Sequence, residues 1–486
     1  CFYFMFVKQE TISNLFMGAS ENYNNDSEED LTSIEKYNEM IFKRKSYYFD
    51  VDEFEMIVNY YLEKQDWVKA LDAIEYSKKL HPFVPRLLVK EADLLGATGQ
   101  HEEALELIAR IELIEHRNPE LFLIKGSLLS EINSTDKAIA AYIRAADLSC
   151  EAKDEVYISI AYEYQNLEKF EKAIEYLKHA LQTNPANEDA LYEIGFCFEQ
   201  IDKPDQMVTF LQAFLDEHPY CDNAWNSLGS VELRQGNHEN AIDAFDYALA
   251  INEDFVTAYF NKGSALIATD RFIEAIEIYE QSVSFDLAGS LAYHQIGYCH
   301  EQLGDFNKAI VLYNKATKID NEFAESWISL ARLYSDKNKH VEAIYAVKKA
   351  LDKEEDNSEY WCLCAHIQGK AGLIEEAKLA YDKAVEIDSF NVDTWLSYSD
   401  LLFQNDYFDE SIDVLNKGIT NNPSAAKLYY RLGAYFISVG YETDAEDILY
   451  HALTMDFEKH DQLFEFMPQA KSNLFVLDLI DSFKEA

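Results

Sequence analysis

The stretch DNAWNSLGSVELRQGNHENAIDAFDYALAI, residues 222–251, decides the fold. Trp225 and Gly229 lie four residues apart, so they share one face of a first helix. Ala241 and Phe245 share one face of a second helix in the same way. A polar turn with a central glycine separates the two apolar patterns, and the stretch therefore predicts two antiparallel helices.

The pattern returns every 34 residues. If Trp225 is position 4 of a repeat, the same position downstream holds Tyr259, Tyr293, Trp327, Trp361, Trp395 and Tyr429. Upstream it holds Phe54, Leu88, Phe122, Tyr157 and Leu191. The register slips once, by one residue, and the loop around residues 149–154 can absorb the slip. A fixed period of this length predicts a stacked array in which each helix pair is buried by its neighbours.

Two further positions hold small residues. Position 8 is Gly, Ala or Ser in every repeat except the first, which has Val58, and position 20 is Ala or Ser except at Met207. Small side chains there let two helix backbones approach, and a bulky one would cost about 1–3 kcal/mol of overpacking. Proline ends the second helix at position 32 of four repeats: Pro82, Pro185, Pro219 and Pro423.

These positions together resemble the tetratricopeptide repeat family. One repeat matches at Tyr293, Gly297, Gly304, Ala309, Tyr313 and Ala316. The resemblance covers residues 51–459 as about twelve repeats, a long array of the bacterial type. It implies an all-α fold, a right-handed superhelical solenoid of antiparallel helix pairs, with the first helix of each pair lining a concave groove.

The two ends depart from the repeat. Residues 1–35 contain an acidic, Asn- and Ser-rich stretch that predicts a disordered leader, and we expect Met17 to be the true start, with residues 1–16 not native. Residues 36–50 predict a short N-terminal helix on the first repeat. Residues 460–486 predict a helix that caps the array, with its apolar side on the last repeat: Leu474, Leu477, Ile480 and Phe483.

Composition restricts the partners. The 486 residues include 88 acidic and 42 basic ones, for a net charge of −46. That charge disfavours nucleic acid and anionic membranes, which are themselves polyanionic, and would attract a basic partner. Apolar residues make up 48%, without a run of the roughly 20 that a membrane helix needs. The seven cysteines show no disulfide or metal spacing, so a cytoplasmic location is predicted.

Motifs for catalysis, cofactors and metals are missing from the sequence, which predicts a non-enzymatic protein without cofactor. Cys362 and Cys364 diverge on a predicted helix, because residues two apart point to different sides. Cys197 and Cys299 occupy equivalent positions of two repeats, which favours packing over reactivity.

The resemblance places positions 2, 5, 9, 12 and 13 of each first helix on the groove. In the central repeats these and the adjoining position 6 are rich in aromatic and polar side chains, which suit peptide recognition. The candidate protein-binding residues are Tyr162, Tyr192, Phe196, Asn226, Phe260, Asn261, His294, Tyr298, Arg332 and His366. Position 6 also forms a polar series, Ser227, Asn261, Gln295 and Ser329, weakly similar to the Asn ladder of O-GlcNAc transferase repeats. The alternative is that these groups contact the neighbouring helix or water.

Two details of the sequence bear on which partner the groove can bind and on the shape of the groove. The basic clamp with which some family members capture chaperone C-termini is incomplete, because Lys427 and Arg431 lack their partner positions two repeats earlier. Repeat 5 carries Met207 and Phe214 at positions 20 and 27, with Pro204 in its turn. These large residues either pack against nearby small ones or separate the two helices and change the groove beside Tyr192 and Phe196.

The sequence thus predicts a scaffold that binds a protein or peptide segment in the concave groove. The alternative is a chaperone-like or regulatory adaptor whose acidic surface attracts a basic partner.

Overall fold

The computed structural model describes residues 28–43, 46–148, 153–283 and 289–484. These residues form helices and turns, with no strand among them. The chain divides into two compact units, Cys1–Ala258 and Tyr259–Ala486, and each is described by itself.

The helices of the first unit are α1 Glu28–Lys43, α2 Val51–Glu63, α3 Trp67–Leu80, α4 Pro85–Ala97, α5 His101–Glu112, α6 Pro119–Glu131, α7 Thr135–Leu148, α8 Lys153–Asn166, α9 Phe170–Thr183, α10 Glu188–Gln200, α11 Pro204–Glu217, α12 Asp222–Arg234 and α13 His238–Ile251.

Helix α14, Val256–Ala268, contains the boundary between the units. The second unit continues with α15 Phe272–Ser282, α16 Gly289–Gln302, α17 Phe306–Ile319, α18 Ala324–Asp336, α19 His340–Leu351, α20 Ser358–Lys370, α21 Ile374–Ile387, α22 Val392–Gln404, α23 Phe408–Asn421, α24 Ala426–Val439, α25 Glu442–Met455, α26 Asp461–Phe466 and α27 Leu474–Lys484. Two short 3-10 helices, Phe457–His460 and Pro468–Ser472, flank α26.

Helices α2 to α25 alternate as first and second helices of the repeat, and the fold is an all-α solenoid. In the first unit, first helices of adjacent repeats contact each other at α2–α4, α4–α6, α8–α10 and α10–α12. In the second unit they do so at α18–α20, α20–α22 and α22–α24. Second helices instead pack on the first helix of the next repeat. First helices therefore form the more closely packed layer of each stack.

The turn inside each repeat uses one backbone conformation. Position 15 has a positive φ in all twelve repeats, from 52° at Asp202 to 89° at Gly440. This left-handed conformation is easy for glycine and tolerated by Asn and Asp, which together fill ten of these positions. The amide after it bonds back to the end of the first helix, as when Asn237 N donates to Glu232 O at 2.9 Å. This bond ends the first helix and reverses the chain.

The small residue at position 8 makes room for one side chain of the second helix. A Cβ placed on Gly229 would lie 2.6 Å from Cε1 of Phe245, which occupies position 24 of the same repeat. Gly297 and Tyr313 repeat the relation at 2.9 Å. Phe245 and Tyr313 are fully buried. Glycine at position 8 therefore leaves space for an aromatic ring at position 24, where a larger residue at position 8 would require a smaller side chain.

The rings at position 4 join adjacent repeats, as the sequence predicts for packing residues. The indole Nε1 of Trp225 donates to the carbonyl of Pro219, at position 32 of the preceding repeat, at 2.9 Å. The same bond recurs for Trp327, Trp361, Trp395 and, through its hydroxyl, Tyr429. A ring at this position, buried or half-buried, thus satisfies its own polar atom and a turn carbonyl at once.

Repeat 5 differs from the others. Its two helices, α10 and α11, are in close contact over a short stretch. In every other repeat that lies wholly within one unit, the two helices are in close contact over a longer stretch. Met207 and Phe214 are both buried, and Phe214 continues a row of rings from Phe210 at 6.1 Å to His218 at 4.8 Å. Met207 packs against the small Gly195, and the two helices are nevertheless in close contact over a shorter stretch than in the other repeats.

The first helix corrects the prediction for the N-terminal end. Helix α1 begins at Glu28, so residues 28–35, assigned to the leader, are helical, and the helix ends at Lys43. Ser33 and Tyr37, four residues apart, are buried on α2 and the chain before it, and Ser33 Oγ donates to Glu53 at 3.0 Å. The tertiary contacts of Ser33 and Tyr37 stabilise the helix, although the acidic composition of the segment predicts disorder. The predicted leader of residues 1–27 lies outside the described residues.

The C-terminal residues pack on repeat 12. Leu463, Met467, Val476 and Ile480 are buried in one cluster with Leu449, Leu453 and other residues of repeat 12. Asn473 Oδ1 accepts a bond from the amide of Phe475 at 3.1 Å and caps α27. The expectation that Leu474 faces repeat 12 is wrong, because this side chain is 75% exposed. Val476 takes the buried face, and Leu474, two residues earlier, lies on the opposite side of the helix.

Replacing Gly229 by Val should lower the free energy of unfolding by about 1–3 kcal/mol, because the new side chain meets the ring of Phe245. Adding Phe245→Leu should recover part of the loss by shortening the opposing side chain. Urea unfolding followed by circular dichroism measures both variants. Equal stability of Gly229→Val and the parent chain would contradict the proposed role of position 8.

Deleting residues 460–486 should expose the buried cluster at repeat 12 and cause aggregation. Size-exclusion chromatography and thermal melting of the truncated chain measure this effect. A monodisperse truncation with an unchanged, cooperative melt would show that the C-terminal helices do not act as a cap.

Candidate functional site

The candidate site consists of first-helix residues on the more closely packed layer of each unit. We call positions 2, 5, 6, 9, 12 and 13 of the first helices the groove face. These positions recur every three or four residues, so they lie along one side of each helix, away from the positions that contact the second helix. Adjacent first helices contact each other, which brings equivalent positions of neighbouring repeats side by side.

In the first unit the groove face carries an exposed ring. Tyr192 of α10 is 61% exposed although it lies on a well-packed helix. Phe196, one turn later, is half-buried and meets Phe170 edge-on at 6.2 Å. Tyr162 of α8 and Asn226 of α12 are half-buried on the neighbouring first helices. Four predicted residues therefore lie on three consecutive first helices of one unit.

Carboxylates surround these rings, and none of them is among the contacts predicted from the sequence. Burial raises the pKa of Tyr162, and Glu193 raises it further, both by its charge and by its contact with the hydroxyl. Glu193 also accepts a bond from Gln165 Nε2 at 2.7 Å. Burial raises the pKa of Glu155 as well, and the charges of Asp154 and Asp189 add to the shift. The acids at positions 2 and 6 were the signal that could have identified this cluster.

In the second unit the predicted residues are more dispersed. Phe260 is half-buried, with its ring 5.5 Å from that of Tyr279, and Asn261 beside it is half-buried too. Tyr298 is 37% exposed. Arg332 and His366, on α18 and α20, are exposed.

His294 is held by packing. Its Nδ1 lies 3.0 Å from Oγ of the fully buried Ser326 on the next first helix. Its ring lies 5.1 Å from the rings of both Tyr313 and Phe323. Burial lowers the pKa of His294 to about 4, so the imidazole is neutral at physiological pH. These contacts join two repeats and give the side chain a structural role.

One member of the polar series at position 6, Ser329, and both residues of the partial clamp have partners within the protein. The Ser329 hydroxyl contacts Tyr313 of the preceding repeat. Lys427 pairs with Asp393 at 3.5 Å, and Arg431 pairs with Asp400 and lies 3.8 Å from the ring centre of Phe466. Both basic groups of the incomplete clamp therefore already face carboxylates.

The cysteines are placed for packing. Burial raises the pKa of Cys197 to about 11 and of Cys299 to about 12, so both thiols stay protonated and unreactive. Within the described residues, no three His, Cys, Asp or Glu side chains gather as metal ligands would. Among the helices of the described part of the chain, none has both the length and the apolar character to cross a membrane.

Repeated helix pairs with side chains displayed on one helix layer define a helical-repeat protein. Sequence profiles described as tetratricopeptide repeat match residues 154–187, 189–219, 209–254, 256–288, 301–367 and 358–391. The chain is a tetratricopeptide repeat protein. Repeats of this family generally mediate protein–protein interaction and typically form non-enzymatic scaffolds.

One solved structure is similar over part of the chain. The crystal structure of MamA protein shares 26% identity at a TM-score of 0.31, covering 35% of this chain and 94% of that one. No curated protein matches the chain.

The low pKa of His294 predicts a specific pH dependence. As the pH falls below the ordinary histidine pKa of about 6.5, the unfolded chain takes up this proton while the folded chain does not until about 4. The neutral ring's contribution is therefore complete above that range and is lost as the pH falls.

Between about pH 7.5 and about pH 5.5 this loss should reach about 1 kcal/mol in the parent chain. His294→Phe keeps a ring against Tyr313 and Phe323 but cannot titrate, so it should lose less stability over the same interval. Urea unfolding at both values, above the sequence pI of 4.5, gives the difference. Identical pH dependence of the two chains would contradict a buried neutral His294.

Proposed function

We propose that this protein is a non-enzymatic scaffold that binds a protein segment along the groove face. In the first unit the contacts are made by Tyr162, Tyr192, Phe196 and Asn226. In the second unit the corresponding set is Phe260, Asn261, Tyr298, Arg332 and His366. His294 shapes the second site through its packing rather than by contact. We place the protein in the cytoplasm, with a protein partner rather than nucleic acid or membrane.

The observation that carries the proposal is Tyr192. A tyrosine that is 61% exposed leaves apolar surface in water, although the same helix buries its opposite face completely at Ile194 and Ala190. Large aromatic side chains on an accessible surface are typical of binding hot spots, because they add contact area at a low entropic cost. Phe196 extends this surface by one helical turn.

The surrounding charge indicates the chemistry of the partner. Glu155, Asp189 and Glu193 place several carboxylates beside Tyr162 and Tyr192, and burial and mutual repulsion raise the pKa of Glu155. A bound lysine or arginine would relieve this repulsion and could lie over a tyrosine ring. The first unit therefore suits a segment that alternates basic and apolar side chains.

A second function has its own support. The net charge of −46 would attract a basic partner to the whole surface, as a regulatory or chaperone-like adaptor requires. Salt separates the two possibilities, since the Debye length falls from about 10 Å at 0.1 M to about 3 Å at 1 M. Binding to an exposed acidic surface should disappear over this range. Apolar contacts of a partner with the rings of the groove face should persist.

Selection of a displayed random peptide library on the full chain tests the groove assignment. Tyr192→Ala with Phe196→Ala should weaken the best peptides of the first unit by about 2 kcal/mol or more, if these rings are hot spots. Phe260→Ala with Tyr298→Ala is the equivalent pair for the second unit. Affinities come from calorimetry with synthetic peptides, and thermal melting checks that each variant folds.

Tyr220→Ala with Phe390→Ala is the matched control, because these rings are 84% and 76% exposed but lie in turns outside the groove face. The control should bind as tightly as the parent chain. Loss of binding in the control, or full binding by both groove pairs, would refute the assignment.

A further inference from the structure

Repeat 5 opens a cleft at the edge of the groove face in the first unit. The cleft has a volume of about 230 Å³ and lies between the α10–α11 turn and the end of α12. It is lined by Phe198, Glu199, Asp202, Pro204, Met207, Val231, Arg234 and Gln235. No residue predicted from the sequence as a contact lines it, although Met207 and Pro204 were noted as departures from the repeat.

The contact between α10 and α11 differs from that in the other repeats. Every other repeat has Ala or Ser at position 20, where close packing of the two helices is possible. Met207 fills that position instead, and its side chain lies against Gly195 of α10, within 3.0 Å of where a Cβ would be. Pro204 is the first residue of α11, and its backbone nitrogen has no hydrogen to donate to the preceding turn. The cleft lies beside this contact, between the α10–α11 turn and the end of α12.

The floor and the rim of the cleft differ in character. Phe198, Met207 and Val231 are each at most 3% exposed and form an apolar floor. Glu199 pairs with Arg234 across the rim, and Gln235 Nε2 donates to Asp205 at 2.7 Å. The carboxylates of Glu199 and Asp202 and the guanidinium of Arg234 line the opening, and the carboxylate of Asp205 lies next to it through its bond to Gln235.

The size of the cleft selects its occupant. Sites for drug-sized molecules enclose about 300–1,000 Å³. A smaller cleft with an apolar floor suits a single apolar side chain instead. The excess of carboxylates at the rim favours basic residues on either side of it.

The cleft is also continuous with the groove face. Glu199 and Arg234 occupy positions 12 and 13, which belong to that face. Phe196 lies three residues before Glu199, on the same side of α10. A segment that passes Tyr192 and Phe196 would reach the cleft within one helical turn.

We infer that this cleft is a specificity pocket that takes one large apolar side chain, leucine, methionine or phenylalanine, from a partner segment with lysine or arginine beside it. The inference rests on the proposed function, because the segment reaches the pocket along the groove face. Tyr192 and Phe196 hold the segment, and the pocket selects one of its residues.

The test uses peptides obtained by display selection on the full chain. Selected sequences should contain a large apolar residue next to Lys or Arg. Replacing that apolar residue by Ala should weaken binding to the parent chain about tenfold, as expected for one buried apolar side chain.

Gln235→Trp places an indole at the mouth of the pocket. In this variant the same replacement in the peptide should change affinity less than about twofold, as a double-mutant cycle measures. Asn405→Trp is the matched control, since Asn405 is exposed at the same position of repeat 11 and does not line the cleft. It should retain the tenfold preference. Thermal melting verifies the fold of both.

The outcomes separate the two proposals. If Gln235→Trp keeps the full apolar preference, or the parent chain shows none, the pocket assignment is wrong while groove binding can stand. If peptides bind the pocket equally well after Tyr192→Ala with Phe196→Ala, the groove assignment fails, and with it the route to the pocket that we infer.

Discussion

The contact between position 8 and position 24 sets the distance between the two helices of a repeat, and most of the other structure depends on that distance. In four repeats glycine faces a ring at position 24, as at Phe245 and Tyr313, whereas repeat 10 combines Tyr381 at position 24 with Ala365 at position 8. Ala161 faces the smaller Leu177 in repeat 4. A close-packed interior tolerates neither a void nor an overlap, so the small residue at position 8 leaves room for the side chain that faces it. The turn conformation is the same in every repeat, including repeat 5.

Repeat 5 shows what happens when this constraint changes. Met207 takes over the contact with the glycine of α10, and a cleft lies beside the turn that follows α10. The result is a cleft rather than a loss of fold, because each repeat needs only its neighbours for burial. A repeat array can thus accept a local irregularity that a single-core domain would have to repack around.

The sequence was sufficient for the fold because the period repeats the same physical requirement many times. Trp225 and Gly229 recur at one spacing, so each repeat tests the assignment independently. The N-terminal helix was misjudged because its burial depends on a few tertiary contacts, Ser33 and Tyr37 among them, that composition does not reveal. Leu474 was misjudged for a related reason, since the apolar residues of α27 cover more than one face. For the candidate site, periodicity predicts the side of the helix on which each residue lies, but not how exposed its side chain is. Tyr192 and His294 occupy the same position of their repeats, yet one is exposed and the other is enclosed by a ring from its own repeat and a serine from the next.

The hydrogen bond from the position 4 ring to the preceding turn is unevenly distributed along the chain. Trp225, Trp327, Trp361, Trp395 and Tyr429 donate it, whereas Phe54, Leu88, Phe122 and Leu191 have no donor atom to offer. Ion pairs cross the junctions between the early repeats, as between Lys78 and Glu91 and between Lys90 and Glu120, whereas the later junctions add a bond from the ring to the backbone. Each of these bonds fixes the orientation of a first helix relative to the turn before it, a constraint that the side chains of Phe54, Leu88, Phe122 and Leu191 cannot supply.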